Sequence, residues 1–410
     1  MPFDVVQLRE QFAALHQVSD GQPICFLDGP GGTQVPDRVI HRMSDVWVKG
    51  NSNLGGAFAS SKAITKIVLE ARSYCQALLN APLASNIVFG ANMTTLTFSL
   101  SRAISRDWHS GDEVIVTELD HYANVSPWKQ AAKDRGAIIK QARIDTKEGS
   151  LDVPHLLSLI NDKTRLVAVS CASNTTGSIT HIKPIIETAH RFGAQVYLDA
   201  VHFAPHHLID VQEWDCDFLV CSAYKFFGPQ VGIAYVASPW LEIVEPYKVE
   251  PAPNVGPARF ETGTQSFAQI AGVTGAIDYL ASLGGDQGGL RTRLKQAYQD
   301  IGDYEQGLSS RFLAELKSLP NVSLIGRSEA NHQVRTPTFA LRFKGHTPQE
   351  LAQALGAKNI CVWSGHFYAI GLINALGIDQ KEGVLRVGCM HYNTESEIER
   401  FFAWLRPWLS

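Results

Sequence analysis

A lysine and an aspartate, each beside an apolar run, are the residues best placed for chemistry. Lys225 lies in VCSAYKFFGPQVG, between two apolar runs and among aromatic residues. Burial lowers the pKa of a lysine amine and suits it to Schiff-base formation, although most lysines are solvated surface groups. Asp199 closes the apolar run VYLDA. A carboxylate there is costly unless it pairs with a cation, and the alternatives are a helix cap or a surface turn.

The two residues together indicate pyridoxal 5′-phosphate (PLP). This cofactor needs a lysine for its Schiff base and an acid against its pyridinium nitrogen. An apolar run ending in Asp199, followed by an apolar run ending in Ser-x-x-Lys225, supplies both groups in order. No GxGxxG follows an apolar run and no GxxxxGK[ST] occurs, so dinucleotide and P-loop sites are disfavoured.

Further polar residues follow other apolar runs. In open α/β sheets, ligands bind at the carboxyl ends of the strands, so these residues are expected to meet in one crevice. They are Thr94, His121, Asn174, Asp199 with His202, and Ser222 with Lys225.

The elements that must position these residues alternate between strand and helix. Between about residues 85 and 240, short apolar runs such as RLVAVS and DFLVCS alternate with amphipathic stretches. That alternation predicts an α/β layer with a mainly parallel sheet. A charged helical stretch at 285–318 and a smaller α+β unit follow, with a last helix from Glu395. We therefore expect a large PLP-binding domain at 21–280 and a small domain from 1–20 and 281–410.

Composition narrows the choice of partner. Among 410 residues, 45% are hydrophobic and 19% charged, with a net charge of −4 and no basic stripe. A large core and a small-molecule partner are expected, with no nucleic acid, membrane or signal segment. The seven cysteines are scattered and show no metal or redox spacing, which favours buried thiols in the cytoplasm.

From FLDGPGG near residue 26 to RVGCMHYNT near 394, the motifs resemble the class V aminotransferase family of fold-type I PLP enzymes. Within it, the chain is similar to the cysteine desulfurase and selenocysteine lyase branch. The resemblance implies a fold-type I α/β transferase with a mainly parallel, seven-stranded type of sheet and a smaller α+β C-terminal domain. It also implies an amino-acid substrate.

The resemblance implies roles around the cofactor ring. His121 would stack on the ring and move protons, although a core histidine is the plainer interpretation. Asn174 would bond the phenolic oxygen and Asp199 would face the pyridinium. His202 stands where many relatives have a glutamine that touches the phenolic oxygen. A histidine could donate the same hydrogen bond, but its protonation would make the contact depend on pH. A metal site in HFAPHH is the weaker alternative, and we expect none.

Other residues are implied in phosphate and substrate binding. The phosphate would be held by the Met93 amide, Thr94, Ser222 and Tyr224, the last replacing a histidine. Thr264 would reach it from a neighbouring subunit, which implies a homodimer with a shared active site; a helix cap is the alternative. Arg386 would bind the substrate carboxylate, unless it is a surface arginine. The loops at 28–34 and 51–58 would line the mouth or merely form turns.

One departure from the family affects the expected reaction. Tyr368, in VWSGHFYAIG, falls where the desulfurase branch has its sulfur-accepting cysteine, and it would contact the substrate instead. Cys361 is expected to be a buried, inert strand thiol. We therefore expect β-elimination by a C–S lyase with Lys225 as general base. Transamination, epimerisation and a non-catalytic PLP-binding protein are the alternatives.

Overall fold

The computed structural model describes residues 3–409 and contains one large and one small β-sheet. In chain order the strands are β1 (Val18–Ser19), β2 (Gln22–Pro23), β3 (Cys25–Phe26), β4 (Ile87–Gly90), β5 (Glu113–Thr117), β6 (Ile138–Ala142), β7 (Ile144–Asp145), β8 (Ser150–Leu151), β9 (Thr164–Ser170), β10 (Gln195–Asp199), β11 (Phe218–Ser222), β12 (Gly232–Val236), β13 (Val322–Ile325), β14 (Thr338–Phe343), β15 (Ile360–Cys361), β16 (Trp363–Gly365) and β17 (Val384–Gly388).

The helices connect and cover these sheets. They are α1 (Val5–Arg9), α2 (Asp37–Gly50), α3 (Ala59–Leu79), α4 (Met93–Ile104), α5 (Ser126–Arg135), α6 (Val153–Leu159), α7 (Lys183–Arg191), α8 (Val211–Trp214), α9 (Ser238–Ile243), α10 (Phe267–Leu283), α11 (Leu290–Lys317), α12 (Pro348–Gly356), α13 (Ile370–Ala375) and α14 (Glu395–Leu405).

The large sheet has seven strands in the order β4-β12-β11-β10-β9-β5-β6. Strand β12 runs antiparallel to both neighbours, and the other neighbouring strands pair in parallel. Strands β5, β11 and β12 are buried along their whole length. Burial on both faces explains why their sequences are unbroken apolar runs, and the predicted mainly parallel sheet is confirmed.

The small sheet is antiparallel, with the order β13-β14-β17-β16. Helices α11, α12 and α14 pack with it around a separate core that includes Phe312, Phe339 and Phe401. The smaller α+β unit is therefore confirmed. The charged stretch predicted as one helix at 285–318 is α11, which follows a separate apolar helix, α10.

The N-terminal segment contacts both units. Phe12 packs edge-on against Tyr279 at 5.1 Å, within the core of the large unit. Arg9 forms an ion pair with Glu397 of α14 at 3.2 Å. Strand β3 pairs with β15, which ties residues beyond 20 to the small unit. The division at residues 20 and 280 stays a prediction, and residues 1, 2 and 410 lie outside the described chain.

Buried histidines occupy the junction of the two units. His206 and Glu305 are both fully buried and lie 2.8 Å apart. His391, also fully buried, contacts the Tyr279 hydroxyl through Nε2 at 2.6 Å. Burial, followed by the charge of His206, lowers the pKa of His391 from 6.5 to about 3. The folded chain therefore keeps His391 neutral where the unfolded chain would protonate it.

We expect this burial to make stability depend on pH. Below pH 6.5 the unfolded state binds a proton at His391 that the folded state excludes, so acid lowers the free energy of unfolding. The His391→Gln protein lacks this penalty. At pH 7.5 the variant should have a lower free energy of unfolding than wild type. This difference should shrink on acidification by up to about 1.4 kcal/mol per pH unit. Urea denaturation between pH 4.5 and 7.5 measures the change.

His190 provides a control of opposite sign. Its Nε2 lies 3.0 Å from Asp217, and the hydrogen bond to that carboxylate raises its pKa. This stabilisation is present at pH below the unfolded pKa and is lost as pH rises through the folded pKa. The His190→Gln deficit should therefore grow on acidification. Parallel pH dependence of the two deficits would contradict the assignment for His391.

Residues 3–409 were considered for a membrane-spanning helix and for a metal site. No helix there is long and apolar enough to cross a membrane. No group of three or more His, Cys, Asp or Glu in that range is placed to hold a metal ion.

Candidate active site

One cavity of about 750 Å³ lies at the carboxyl ends of the parallel strands. Strands β9, β10 and β11 end on it with Ser170, Asp199 and Ser222. The predicted site residues that line it are Met93, Thr94, His121, Asn174, Asp199, His202, Ser222, Tyr224, Lys225, Tyr368 and Arg386. The structure thus brings together residues from distant parts of the chain, as the strand-end argument predicts.

Lys225 ends a short 3₁₀ turn, Ala223–Lys225, directly after β11. Its Nζ donates a hydrogen bond to the Pro30 carbonyl and lies 4.7 Å from the centroid of the Tyr224 ring. Burial, followed by the charge of Arg386, lowers the pKa of this amine from 10.5 to about 7. A large fraction of Lys225 is therefore neutral at physiological pH and able to act as a nucleophile or base.

Asp199 is buried at the end of β10. Its Oδ1 accepts a hydrogen bond from the Val201 amide at 2.9 Å, and within residues 3–409 it forms no ion pair. Burial raises the pKa of this carboxyl to about 7. Asn174 also lines the cavity, and its buried Oδ1 has no hydrogen-bond partner within residues 3–409. A protonated pyridine nitrogen and a neighbouring donor would satisfy these groups, so the residues fit PLP.

Helix α4 opens on the cavity at the end expected to hold the phosphate. Its N-cap is Asn92, whose side chain accepts from the Thr95 amide at 2.9 Å. Asn92 has φ −168°, an extended conformation open to any residue. The Met93 amide, predicted as a phosphate donor, donates to Ser222 Oγ at 2.9 Å. Thr94 is exposed to the cavity in the first turn.

His121 and Tyr368 form a stacked pair over the cavity. Their ring centroids are 5.2 Å apart, and His121 Nδ1 accepts from the Ala123 amide at 3.0 Å. Burial lowers the pKa of His121 to about 4, so the ring is neutral. The Tyr368 carbonyl accepts from the Tyr122 amide at 2.8 Å, and both Phe367 and Tyr368 have positive φ angles. The segment is thus held in a turn that places the tyrosine ring at the site.

Arg386 lies on β17, and its side chain is almost fully buried. Its Nη1 donates to the Asn174 carbonyl at 2.9 Å, and its guanidinium carbon lies 4.0 Å from the centroid of Phe367. Nε is buried without a partner in the described structure. Burial lowers the pKa of Arg386 to about 9, which still leaves it charged at neutral pH. The guanidinium therefore retains capacity for a carboxylate.

Thr264 is the one predicted site residue that does not line this cavity. It is exposed beside a second hollow of about 330 Å³, which is lined by Trp47, residues 51–53 and residues 264–268. Within a single chain it contributes nothing to the main cavity. The glycine-rich segment 51–58 also contributes no residue there, whereas Pro30 and Gly31 of the 28–34 loop do.

The expectation that Cys361 is buried is wrong. The residue is only partly buried because it lies on the two-residue edge strand β15. The other six cysteines are buried, and none of the seven forms a disulfide. Desolvation, followed by the charge of Asp28, raises the pKa of Cys361 to about 11. The thiol is therefore protonated at neutral pH despite its partial exposure, and a protonated thiol is a poor nucleophile.

Sequence reasoning missed three residues near the substrate side of the cavity. Trp363 and Phe367 line it, and Asp28 lies close enough to Arg386 and Lys225 to influence the pKa of each. Burial raises the pKa of the Asp28 carboxyl. The DGPGG loop was itself a signal for Asp28. Its closeness to Arg386, far along the chain, depends on tertiary packing.

Comparisons with known proteins agree with this geometry. The family model described as aminotransferase class-V matches residues 25–401. A cysteine desulfurase of Synechococcus elongatus is 32% identical over 98% of this chain, which spans 63% of that longer protein. A cysteine desulfurase of Cronobacter sakazakii is 30% identical, covering 99% of this chain and 98% of that protein. The apo structure of a Thermococcus onnurineus cysteine desulfurase shares the fold, with a TM-score of 0.88 at 22% identity, covering 100% of this chain and 98% of that one.

Proposed function

The chain belongs to the class V aminotransferase family of PLP enzymes, and from that premise we propose that it is a C–S lyase acting on a cysteine-like amino acid. The observation that supports this proposal most is the set of cavity residues. It includes an amine of lowered pKa, a buried carboxylate and an arginine with free capacity. It includes no cysteine among the described lining residues.

The residues that would hold PLP surround Lys225. Lys225 would bind it covalently, Asp199 would face its pyridine nitrogen, and Asn174 would donate to its phenolic oxygen. Thr94, Ser222 and Tyr224 would contact its phosphate at the start of α4, where a helix N-terminus favours an anion. His121 would lie against the ring. When bound, PLP supplies an electron sink that stabilises negative charge at the substrate Cα.

The protein's own groups would then bind the substrate and move its protons. Arg386 would hold the α-carboxylate, which fixes the Cα–H bond relative to the Lys225 amine. Lys225, once free, would remove the α-proton, because its lowered pKa leaves much of the amine neutral. Loss of the β-sulfur substituent would follow. For cysteine the products are sulfide, pyruvate and ammonia, with one water consumed.

The 366–369 segment supports elimination over sulfur transfer to the protein. Tyr368 takes the position expected for the sulfur-accepting cysteine, and a phenol cannot form a persulfide. The ring is instead stacked on His121. The nearest alternative thiol, Cys361, has a raised pKa and does not line the cavity.

A product assay on cysteine, cystine, selenocysteine and cysteine sulfoxides tests the proposal. β-Elimination predicts sulfide, or the matching leaving group, in equal amount to pyruvate. Desulfuration through a protein thiol predicts alanine instead. A requirement for a keto acid would indicate transamination, and α-deuterium exchange without net product would indicate epimerisation. Cofactor binding with no spectral change on any substrate would indicate a non-catalytic protein.

Replacing Cys361 is expected to have little effect on sulfide release. The Cys361→Ala protein should keep kcat within about 2-fold, because surface substitutions outside a site cost little. Sulfide release and persulfide labelling of the intact protein measure this. Cys361→Ser is the matched control for packing. Loss of activity in both variants together with a persulfide on wild-type Cys361 would refute elimination as the main path.

We also propose that the enzyme is a cytoplasmic homodimer. The unpaired state of all seven cysteines supports a reducing compartment. Trp47 lines the same hollow as Thr264 and is 61% exposed, and two apolar residues near it in the sequence, Val48 and Phe58, are 82% and 60% exposed. Exposed apolar patches of this kind mark interaction sites. A second copy on this face would bring Thr264 toward a phosphate site that it cannot reach within one chain.

Introducing a charge on this face should separate the subunits. Val48→Glu is expected to shift sedimentation toward the monomer and to weaken PLP binding at least as much as Thr264→Val. Val18→Lys, at an exposed apolar residue of the β1–β2 hairpin, is the control and should change neither. A monomeric Val48→Glu protein with unchanged PLP affinity would contradict the shared site.

A further inference from the structure

His202 contacts two threonine hydroxyls of the small unit, one of them on its sheet. Its Nε2 lies 3.1 Å from Thr336 Oγ1 and 3.0 Å from Thr338 Oγ1. Thr338 is the first residue of β14, whereas His202 follows β10 of the large sheet. All three side chains are buried, and His202 also lines the cavity. One ring nitrogen is thus engaged by the small unit, and the other remains for the cavity.

The groups around His202 keep its ring neutral. The titratable and charged groups that act on it are all basic: His206 and His207 on its own segment, Arg386 from β17, and Lys225 after β11. Burial is the first cause, and these groups add to it, so the pKa of His202 lies well below its ordinary value. A neutral imidazole carries one N–H, and the hydrogen bonds of its surroundings decide which nitrogen bears it.

The two threonines differ in the partners open to them. The Thr336 hydroxyl has a second acceptor, the Gly177 carbonyl at 3.4 Å. For the Thr338 hydroxyl, the only hydrogen-bond partner in the described structure is His202 Nε2. A buried hydroxyl hydrogen without an acceptor is costly. Thr338 therefore donates to Nε2, which leaves the ring proton on Nδ1.

The backbone around these threonines is fixed independently of His202. The Thr336 amide donates to the Gly177 carbonyl at 2.8 Å, and Arg335 Nη2 donates to the Thr338 carbonyl at 2.5 Å. Gly177 has φ +75°, and a Cβ there would lie 2.7 Å from the Thr338 carbonyl oxygen. The small unit can approach this turn closely only because the residue is glycine. The position of Thr338 is therefore set by the fold.

We propose that Thr338 is a positioning residue that fixes His202 as its Nδ1–H tautomer, so that the ring presents a hydrogen-bond donor to the cavity. The inference rests on the proposed PLP site, where this donor would be available to an acceptor oxygen of the cofactor. It explains how a histidine replaces a glutamine amide at this position, since both then supply an N–H. It also makes the cofactor contact depend on the docking of the small unit.

Nitrogen-15 spectra of the full-length protein test the tautomer without any variant of Thr338. Histidine-labelled protein, with His202 assigned from the His202→Gln spectrum, should show a protonated Nδ1 and an unprotonated Nε2, with or without PLP. A protonated Nε2 would overturn the proposal. Failure of the wild-type protein to bind PLP would refute the proposed function instead, and the spectrum of the cofactor-free protein would still decide the tautomer.

Absorbance titration of the PLP-bound protein tests the role of Thr338. Thr338→Val should shift the pH midpoint of the cofactor's absorbance change by about one pH unit, which is a tenfold change in the proton equilibrium. Thr338→Ser should restore it, and Thr336→Val should shift it less. In a His202→Gln background the effect of Thr338→Val should disappear, because a glutamine amide keeps its donors. A shift that persists there, or that serine fails to restore, would show a merely structural role. If Thr338→Val does not fold, the serine variant and the wild-type spectrum still decide.

Discussion

Replacing Lys225 with alanine is expected to lower kcat by about 10³-fold or more while leaving a folded protein that holds PLP non-covalently. Lys225 is the only amine among the described residues that line the cavity, and its pKa of about 7 suits it to proton transfer near neutral pH. Borohydride followed by peptide mass analysis should place the cofactor on Lys225 in the wild-type protein. Substrate α-deuterium exchange should fall in parallel with kcat.

Three further variants separate this role from a structural one. Lys225→Arg keeps a positive charge but cannot give up its proton, so it should be as inactive as the alanine variant. Lys183→Ala, at an exposed position on α7, should behave as wild type. Small exogenous amines should partly restore Lys225→Ala. Borohydride-stable cofactor in Lys225→Ala, or wild-type deuterium exchange, would refute the assignment.

The parts of the fold predictable from sequence are those with an unambiguous burial pattern. Strands β9, β10 and β11 have mainly apolar sequences because central strands of the sheet are covered on both faces, and the antiparallel strand β12 is buried in the same way. Strand β6 was missed because it forms an edge, with Ile138 exposed and polar residues following. The helix predicted from residue 285 begins at Leu290, and the break before it lies in the glycine-rich segment 284–289.

The candidate site likewise has residues that the sequence predicts and contacts that it does not. The placement of Asp199, Ser222 and Lys225 at the cavity was predictable because each lies at or just after the end of an apolar run that forms a strand. The partners of His202 were not, because Thr336 and Thr338 lie 134 and 136 residues away, in the small unit. The aromatic cover on Arg386 likewise depends on a turn of positive φ angles at residues 367 and 368. Such contacts are fixed by packing between units and leave no local pattern.

Replacing Arg386 with alanine is expected to lower kcat/KM for amino acids by about 10²- to 10³-fold, mostly through KM. Removing one partner of a buried charge pair costs about 2–5 kcal/mol, and the expected loss lies in the middle of that range. Arg386 is 5% exposed, and its Nε has no partner among the described residues, so the guanidinium can still donate to a carboxylate. Steady-state kinetics on the preferred amino acid measure the loss. Arg386→Lys should fall between wild type and Arg386→Ala, because an ammonium keeps the charge but not the planar fork.

The comparison of amino acids with carboxylate-free amines decides whether Arg386 acts on the substrate carboxylate. Wild type and Arg386→Ala should process an aminothiol lacking the carboxylate at similar, low rates, so that the large difference appears only with the amino acid. An equal loss on both substrates would place the defect in the site itself. Such a defect has its own physical cause, because Arg386 also donates to the Asn174 carbonyl and raises the local positive potential at Lys225. Removing the guanidinium should then raise the pKa of Lys225. A kcat/KM profile that shifts to higher pH with both substrates would show that Arg386 acts mainly through Lys225, and an unshifted profile with loss confined to amino acids would show carboxylate binding.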